Sequence, residues 1–89
     1  MKKNYKPIRV LISGVGGGSH GLEIMKALRL SGSKYYIFAA DISDISLGLF
    51  KADKGFIVPA ASDDGYIPAM LKICRKEKIG VVIHGSEPN

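Results

Sequence analysis

Eighty-nine residues, 46% hydrophobic and 24% charged, suffice for one small globular domain and exclude a disordered or low-complexity chain. The longest apolar runs are only a few residues, too short for a bilayer-spanning helix, and no signal-type apolar core follows the basic leader 1–7. The net charge of +5 is spread along the chain rather than gathered on one face, which argues against a nucleic-acid surface.

Ile8 to Ser13 is short, rich in β-branched residues and ended by glycine, so it reads as a buried strand. A glycine-dense turn follows, and a helix is predicted from His20 to about Leu30. There Leu22, Met25 and Leu28 share one side while Glu23, Lys26 and Arg29 take the other. Ser31-Gly32-Ser33 stops it. Tyr35 to Ala40 is a second strand closed by Asp41. The segment Ile42 to Asp53 reads as a loop with one helical turn near Leu47 to Phe50. Gly55 to Val58 is a short third strand, ended by Pro59.

Asp63 or Asp64 then offers an N-cap. Ile67, Met70, Leu71 and Cys74 follow at i, i+3, i+4 and i+7, the spacing of a buried helical stripe, with Pro68 in the first turn. Lys78-Ile79-Gly80 ends this helix, and Val81 to His84 is a fourth strand. Cys74, the single cysteine, excludes an internal disulfide and reads as a small apolar residue of the stripe.

Strands that alternate with helices and are themselves nearly all apolar belong to a parallel sheet covered on both faces. Right-handed crossovers give the order 3-2-1-4, an α/β Rossmann-like, three-layer half-domain. Residues 1–89 are expected to form that single domain behind a flexible basic leader, in a cytoplasmic protein. Gly85-Ser86-Glu87-Pro88-Asn89 stands just past the fourth strand, beside the switch point where such sheets bind ligands. A longer parent protein is therefore expected. An apolar face along the fourth strand is also expected to let the chain pair with itself.

The glycine-rich turn carries the first functional expectation. Glycines remove every Cβ between the backbone amides and whatever lies above them, and the helix that follows presents unpaired N–H groups and a positive dipole end. Gly16, Gly17, Gly18, Ser19 and His20 are thus candidates to hold an anionic group. Gly16-x-Gly18-x-x-Gly21 matches the dinucleotide fingerprint in form. The register that follows the strand most closely starts instead at Gly14 and puts Ser19 at the third glycine, so a bound nicotinamide cofactor is not expected.

Asp41 ends the second strand, where an acidic residue either binds an adenosine ribose or hydrogen-bonds its own turn. His20 and His84 both lie at carboxyl ends of adjacent strands and could face one another, but two histidines alone make no metal site. Ser86 and Glu87 follow the fourth strand, and Glu87 is its only carboxylate. His20-Gly21 stands where a Walker-type loop needs glycine-lysine. No serine–histidine–acid set or carboxylate pair can be assembled, so no catalytic centre and no metal ligands are expected in this chain.

The progression Val10-Leu11-Ile12-Ser13-Gly14 with its glycine loop, Ala40-Asp41-Ile42-Ser43, Gly48 to Pro59, Ile73 to Lys78 and Gly85-Ser86-Glu87-Pro88 resembles the N-terminal domain that precedes the ATP-grasp fold. It is most similar to proteins described as carbamoyl-phosphate-synthase large-chain-like. That resemblance implies the substrate-side domain of an ATP-dependent carboxylate–amine ligase, not catalytic alone. It implies ATP and Mg bound by a downstream ATP-grasp domain, outside this chain. By position, Gly16 to Ser19 and Gly85 to Glu87 would border a small-molecule acceptor. Two alternatives stand beside it: an NAD(P)-binding domain of a reductase or epimerase, and a non-catalytic small-ligand module.

Overall fold

The computed structural model describes residues 7–15, 20–32, 34–42 and 51–85. Its first strand, β1 (Ile8–Ser13), lies between two neighbours. On one side it pairs in parallel with β2 (Tyr35–Asp41), Ile8 opposite Tyr35 and Ser13 opposite Ala40. On the other it pairs in parallel with β4 (Val81–His84), Val10 opposite Val81 and Ser13 opposite His84. A short β3 (Lys54–Ile57) joins the outer edge of β2, so the four strands run β3-β2-β1-β4. That is the parallel 3-2-1-4 sheet expected from the alternation of strands and helices.

Side chains alternate across a strand, and here the alternation builds two cores. Val10, Ile12, Ile37 and Ala39 point to one face and meet Met25 of α1 (Gly21–Leu30). Leu11, Phe38 and Ala40 point to the other and meet Tyr66, Met70 and Ile73 of α2 (Tyr66–Lys76), with Val58. Each large side chain buried this way contributes about 1.5–3 kcal/mol. No helix among the described residues is long and apolar enough to cross a membrane.

The second helix departs from its predicted stripe. Met70 is buried as expected, but Ile67 and Leu71 are 60% and 45% exposed, and Cys74 is only partly covered. The inward line is instead Tyr66, Met70 and Ile73. Both lines have helical spacing. Tyr66 joins the buried cluster of Leu11, Phe38 and Val58, and the side of the helix that carries it faces inward. Its N-cap is Gly65 rather than an aspartate, although the Asp63 carboxylate accepts the Gly65 amide at 2.7 Å and so organises the turn. The helix ends at Lys76. Lys78 takes a left-handed conformation (φ 53°), and the Ile79 amide reaches back to the Cys74 carbonyl at 3.0 Å, a Schellman-type stop. The third strand begins one residue earlier than predicted and ends before Val58. The helical turn expected near Leu47 to Phe50 lies outside the described residues.

At the amino end of the sheet, the Glu77 carboxylate lies 3.3 Å from the Arg9 guanidinium and 2.9 Å from the Lys54 ammonium. The Arg9 Nε also donates to the Glu77 carbonyl, and the guanidinium lies over the Tyr36 and Phe38 rings. These groups tie the end of α2 to the starts of β1 and β3. The Lys54 hydrogen bond holds the Glu77 carboxyl below the ordinary glutamate range. Burial opposes that shift, while the charges of Lys54, Arg9 and Lys76 add to it.

Candidate functional site

In a parallel sheet all carboxyl ends point one way, and here they surround a cavity of about 330 Å³. Ser13 and Gly14 come from β1, Ala40, Asp41 and Ile42 from β2, and His84 from β4. Val58, Ala60 and Ala61 follow β3, and Tyr66 opens α2. The volume is at the small end of the ~300–1,000 Å³ typical of ligand pockets, and its mix of apolar walls with a few convergent polar groups is also typical.

Each polar group is placed by backbone. Ser13 and His84 are register partners on adjacent strands, and the Ser13 Oγ lies 2.8 Å from His84 Nδ1. Whichever of the two donates, the pair keeps a further donor, either the His84 Nε2–H or the Ser13 O–H. The Asp41 carboxylate accepts the Val15 amide at 3.2 Å and the Ile42 amide at 2.7 Å. The Ile42 contact is the bond of Asp41 to its own turn, and the Val15 contact, which the sequence reading did not include, also pins the residue after Gly14 to the tip of β2.

Beside the cavity three glycines let backbones touch. Gly14 has φ 72°. A Cβ on Gly21 would come 2.3 Å from the Gly14 carbonyl oxygen, and one on Gly85 would come 2.5 Å from the Gly21 Cα. Through that contact the His20 amide donates to the Gly85 carbonyl at 2.6 Å, and the Gly85 amide to the Ser13 carbonyl at 2.6 Å. The helix-packing glycine of the turn is thus Gly21. Ser19, which the register counted from Gly14 puts at the third glycine, lies outside the described residues, whereas Gly21, the first residue of α1, meets the strand.

Of the residues singled out in the sequence, Asp41 and His84 line the cavity together. His20 stands exposed at the N-cap of α1, makes no side-chain capping bond, and is not among the described lining residues. His84 faces Ser13 instead. Gly16, Gly17, Gly18, Ser19, Ser86 and Glu87 lie outside the described residues. Sequence reasoning missed Ser13 as the partner of His84, although strand order alone makes them neighbours. It also missed the wall formed by Val58, Ala60, Ala61 and Tyr66, whose signal is the run of small residues between β3 and α2. Among the described residues no group of three or more His, Cys, Asp or Glu is placed to hold a metal ion. A second hollow of about 260 Å³ lies along α1, with Leu22, Met25 and Leu30 flanked by Lys26, Arg29 and Lys51.

Comparison with known families gives a match over residues 10–89 to the family described as PylC-like, N-terminal domain. No curated protein matches the chain.

Proposed function

We infer the role of this chain from the family it belongs to, the PylC-like N-terminal domains, which are the pre-ATP-grasp domains of ATP-grasp ligases. We propose that it forms the substrate side of an ATP-dependent carboxylate–amine ligase, and that the cavity at the strand tips receives the acceptor. The observation that carries this is the convergence of Ser13, Asp41 and His84 on one cavity at the carboxyl end of a parallel sheet, the place where open α/β sheets bind ligands.

In this reading the chain positions and the partner domain reacts. The Ser13–His84 pair meets a polar group of the acceptor, and Gly16 to Ser19, Ser86 and Glu87 are the further candidates to contact its anionic group. The ATP-grasp domain of the parent binds ATP and Mg, and supplies the acyl-phosphate chemistry. The carbamoyl-phosphate-synthase likeness is of the same kind, a shared plan of substrate domain followed by ATP-grasp domain. No reacting group is assigned to this chain.

The test is the coding sequence beyond Asn89, together with the kinetics of the ligase it encodes. An ATP-grasp domain downstream is expected, with ATP consumption that depends on an acceptor. Ala61→Trp, which fills the cavity from an exposed loop position, is expected to raise the acceptor KM and leave the ATP KM unchanged. A stop codon after Asn89 with no ATP-grasp gene beside it would remove the proposal.

A further inference from the structure

The fold gathers at one end cations that the sequence spreads along its length. Arg9, Lys34 and Lys54 stand at the starts of β1, β2 and β3, with Lys51 just ahead of β3. Helices α1 and α2 run back against the strands and bring Arg29, Arg75 and Lys76 to the same end, with Lys78 beyond. The carboxylates there, Asp53 and Glu77, are both in ion pairs. The opposite end carries Asp41, Asp63 and Asp64 and no described lysine or arginine. Two helix C-termini offer about half a negative charge each, which offsets only a fraction of the excess.

The hollow along α1 opens on this positive end. Leu22, Met25 and Leu30 line it, and Lys26, Arg29 and Lys51 flank them. Met25 is buried, whereas Leu30 is 86% exposed. Arg29 is steadied by Asp53 at 3.1 Å and by the Lys51 carbonyl at 3.4 Å. The ammonium groups of Lys26 and Lys51 meet no carboxylate among the described residues. The volume, about 260 Å³, suits one aliphatic or aromatic side chain.

We propose that this hollow docks an acidic segment of a partner protein, with one apolar side chain seated on Leu22, Met25 and Leu30 and flanking carboxylates on Lys26 and Lys51. Shape and charge together select that occupant. Duplex nucleic acid presents phosphates and has nothing to fill an apolar hollow. A single strand needs a free aromatic face, and the exposed ring at this end, Tyr36, has the Arg9 guanidinium over it at 5.0 Å. A lipid surface takes protruding side chains, whereas this site is concave. An apolar anchor in a pocket with a charged rim is the anatomy of a protein contact. The surface lies at the end of the sheet away from the acceptor cavity and does not depend on it.

The test is titration of the 89-residue chain, at low ionic strength, with a capped peptide of four glutamates around a central phenylalanine, followed by backbone amide shifts. Saturable shifts are expected at Leu22, Met25, Leu30 and Lys51, with Ser13 and His84 unmoved. Serine in place of the phenylalanine is expected to weaken binding about tenfold, the worth of burying one ring. Lys26→Gln and Lys51→Gln, both at exposed positions, should each weaken it about threefold, and added salt should weaken it further. Free glutamate, which lacks the anchor, is expected to give no saturable shift. Equal binding of the two peptides, undiminished binding by both lysine variants, or saturation by free glutamate overturns the proposal. Shifts at these amides with decauridylate or phosphatidylserine vesicles but not with the peptide overturn it too, as does no shift with any probe. None of these outcomes bears on the acceptor cavity, whose test is separate.

Discussion

At the amino end of the sheet a nearly buried carboxylate, Glu77, is held between two cations, and one of them, Arg9, lies over the Tyr36 and Phe38 rings. At the carboxyl end Ser13, Asp41 and His84 stand around an open cavity. Both ends carry charge, and both lie where strands begin or finish. The first set is closed on itself, each charge meeting its opposite, and it fastens α2 to the sheet. The second is held in place by backbone amides and a strand partner while facing space. Charged residues that satisfy one another hold a fold together, whereas the polar residues at the carboxyl end are fixed by the main chain and line a cavity.

The comparison breaks most visibly at the glycine crossing. Gly85→Ala would set a Cβ 2.6 Å from the Gly14 carbonyl oxygen and 2.7 Å from the Gly21 amide nitrogen, backbone atoms that cannot step aside. A loss of about 3 kcal/mol, at the upper end for overpacking, is expected from urea unfolding. Such a result would show that the carboxyl end is built on close backbone contact rather than on charge.

Met70→Ala is expected to cost roughly 2–3 kcal/mol in the same assay, because it empties a site beneath α2. A comparable loss at Leu71 instead would restore the stripe read from spacing alone. Asp41→Ala removes the acceptor of two backbone amides and is expected to cost about 1–2 kcal/mol, with the largest amide-shift changes at Val15 and Ile42.

The amino end is sharpened by pH. Glu77 is a stronger acid in the folded chain than in the unfolded one, so its contribution is complete above the ordinary glutamate range. It is lost as pH falls through that range toward the lowered folded value. Glu77→Gln should lower the urea midpoint at neutral pH and flatten the acid limb of the stability profile. An unchanged acid limb would place the ion pairs outside the account. At the bottom of the scale, Leu71→Ser at an exposed position should change stability by less than about 1 kcal/mol.

The sheet was legible because its signal is strong. Ile8 to Ser13 carries a central apolar run and is followed by glycine, and four short strands with two helices among them admit few topologies. The face of α2 was not, because Ile67-Met70-Leu71-Cys74 and Tyr66-Met70-Ile73 are both helical lines, and choosing between them requires knowing what Val58 and Phe38 present. Of the site, Asp41 and His84 could be found from their places at strand ends. Ser13 needed the pairing of β1 with β4, and the Ala60-Ala61 wall needed the path of a turn that carries no distinctive chemistry. The partnership of Glu77 with Arg9 and Lys54 joins positions far apart in sequence, and no local pattern announces it.

The most direct measurement is a map of amide shifts in this chain against a panel of small phosphates, carboxylates and amino acids. The account predicts that saturable shifts gather at Ser13, Asp41, Val58, Tyr66 and His84, with Arg9, Lys54 and Glu77 unmoved. Shifts gathered at the Glu77 ion pairs, or in the hollow along α1 at Leu22 and Arg29, would contradict it.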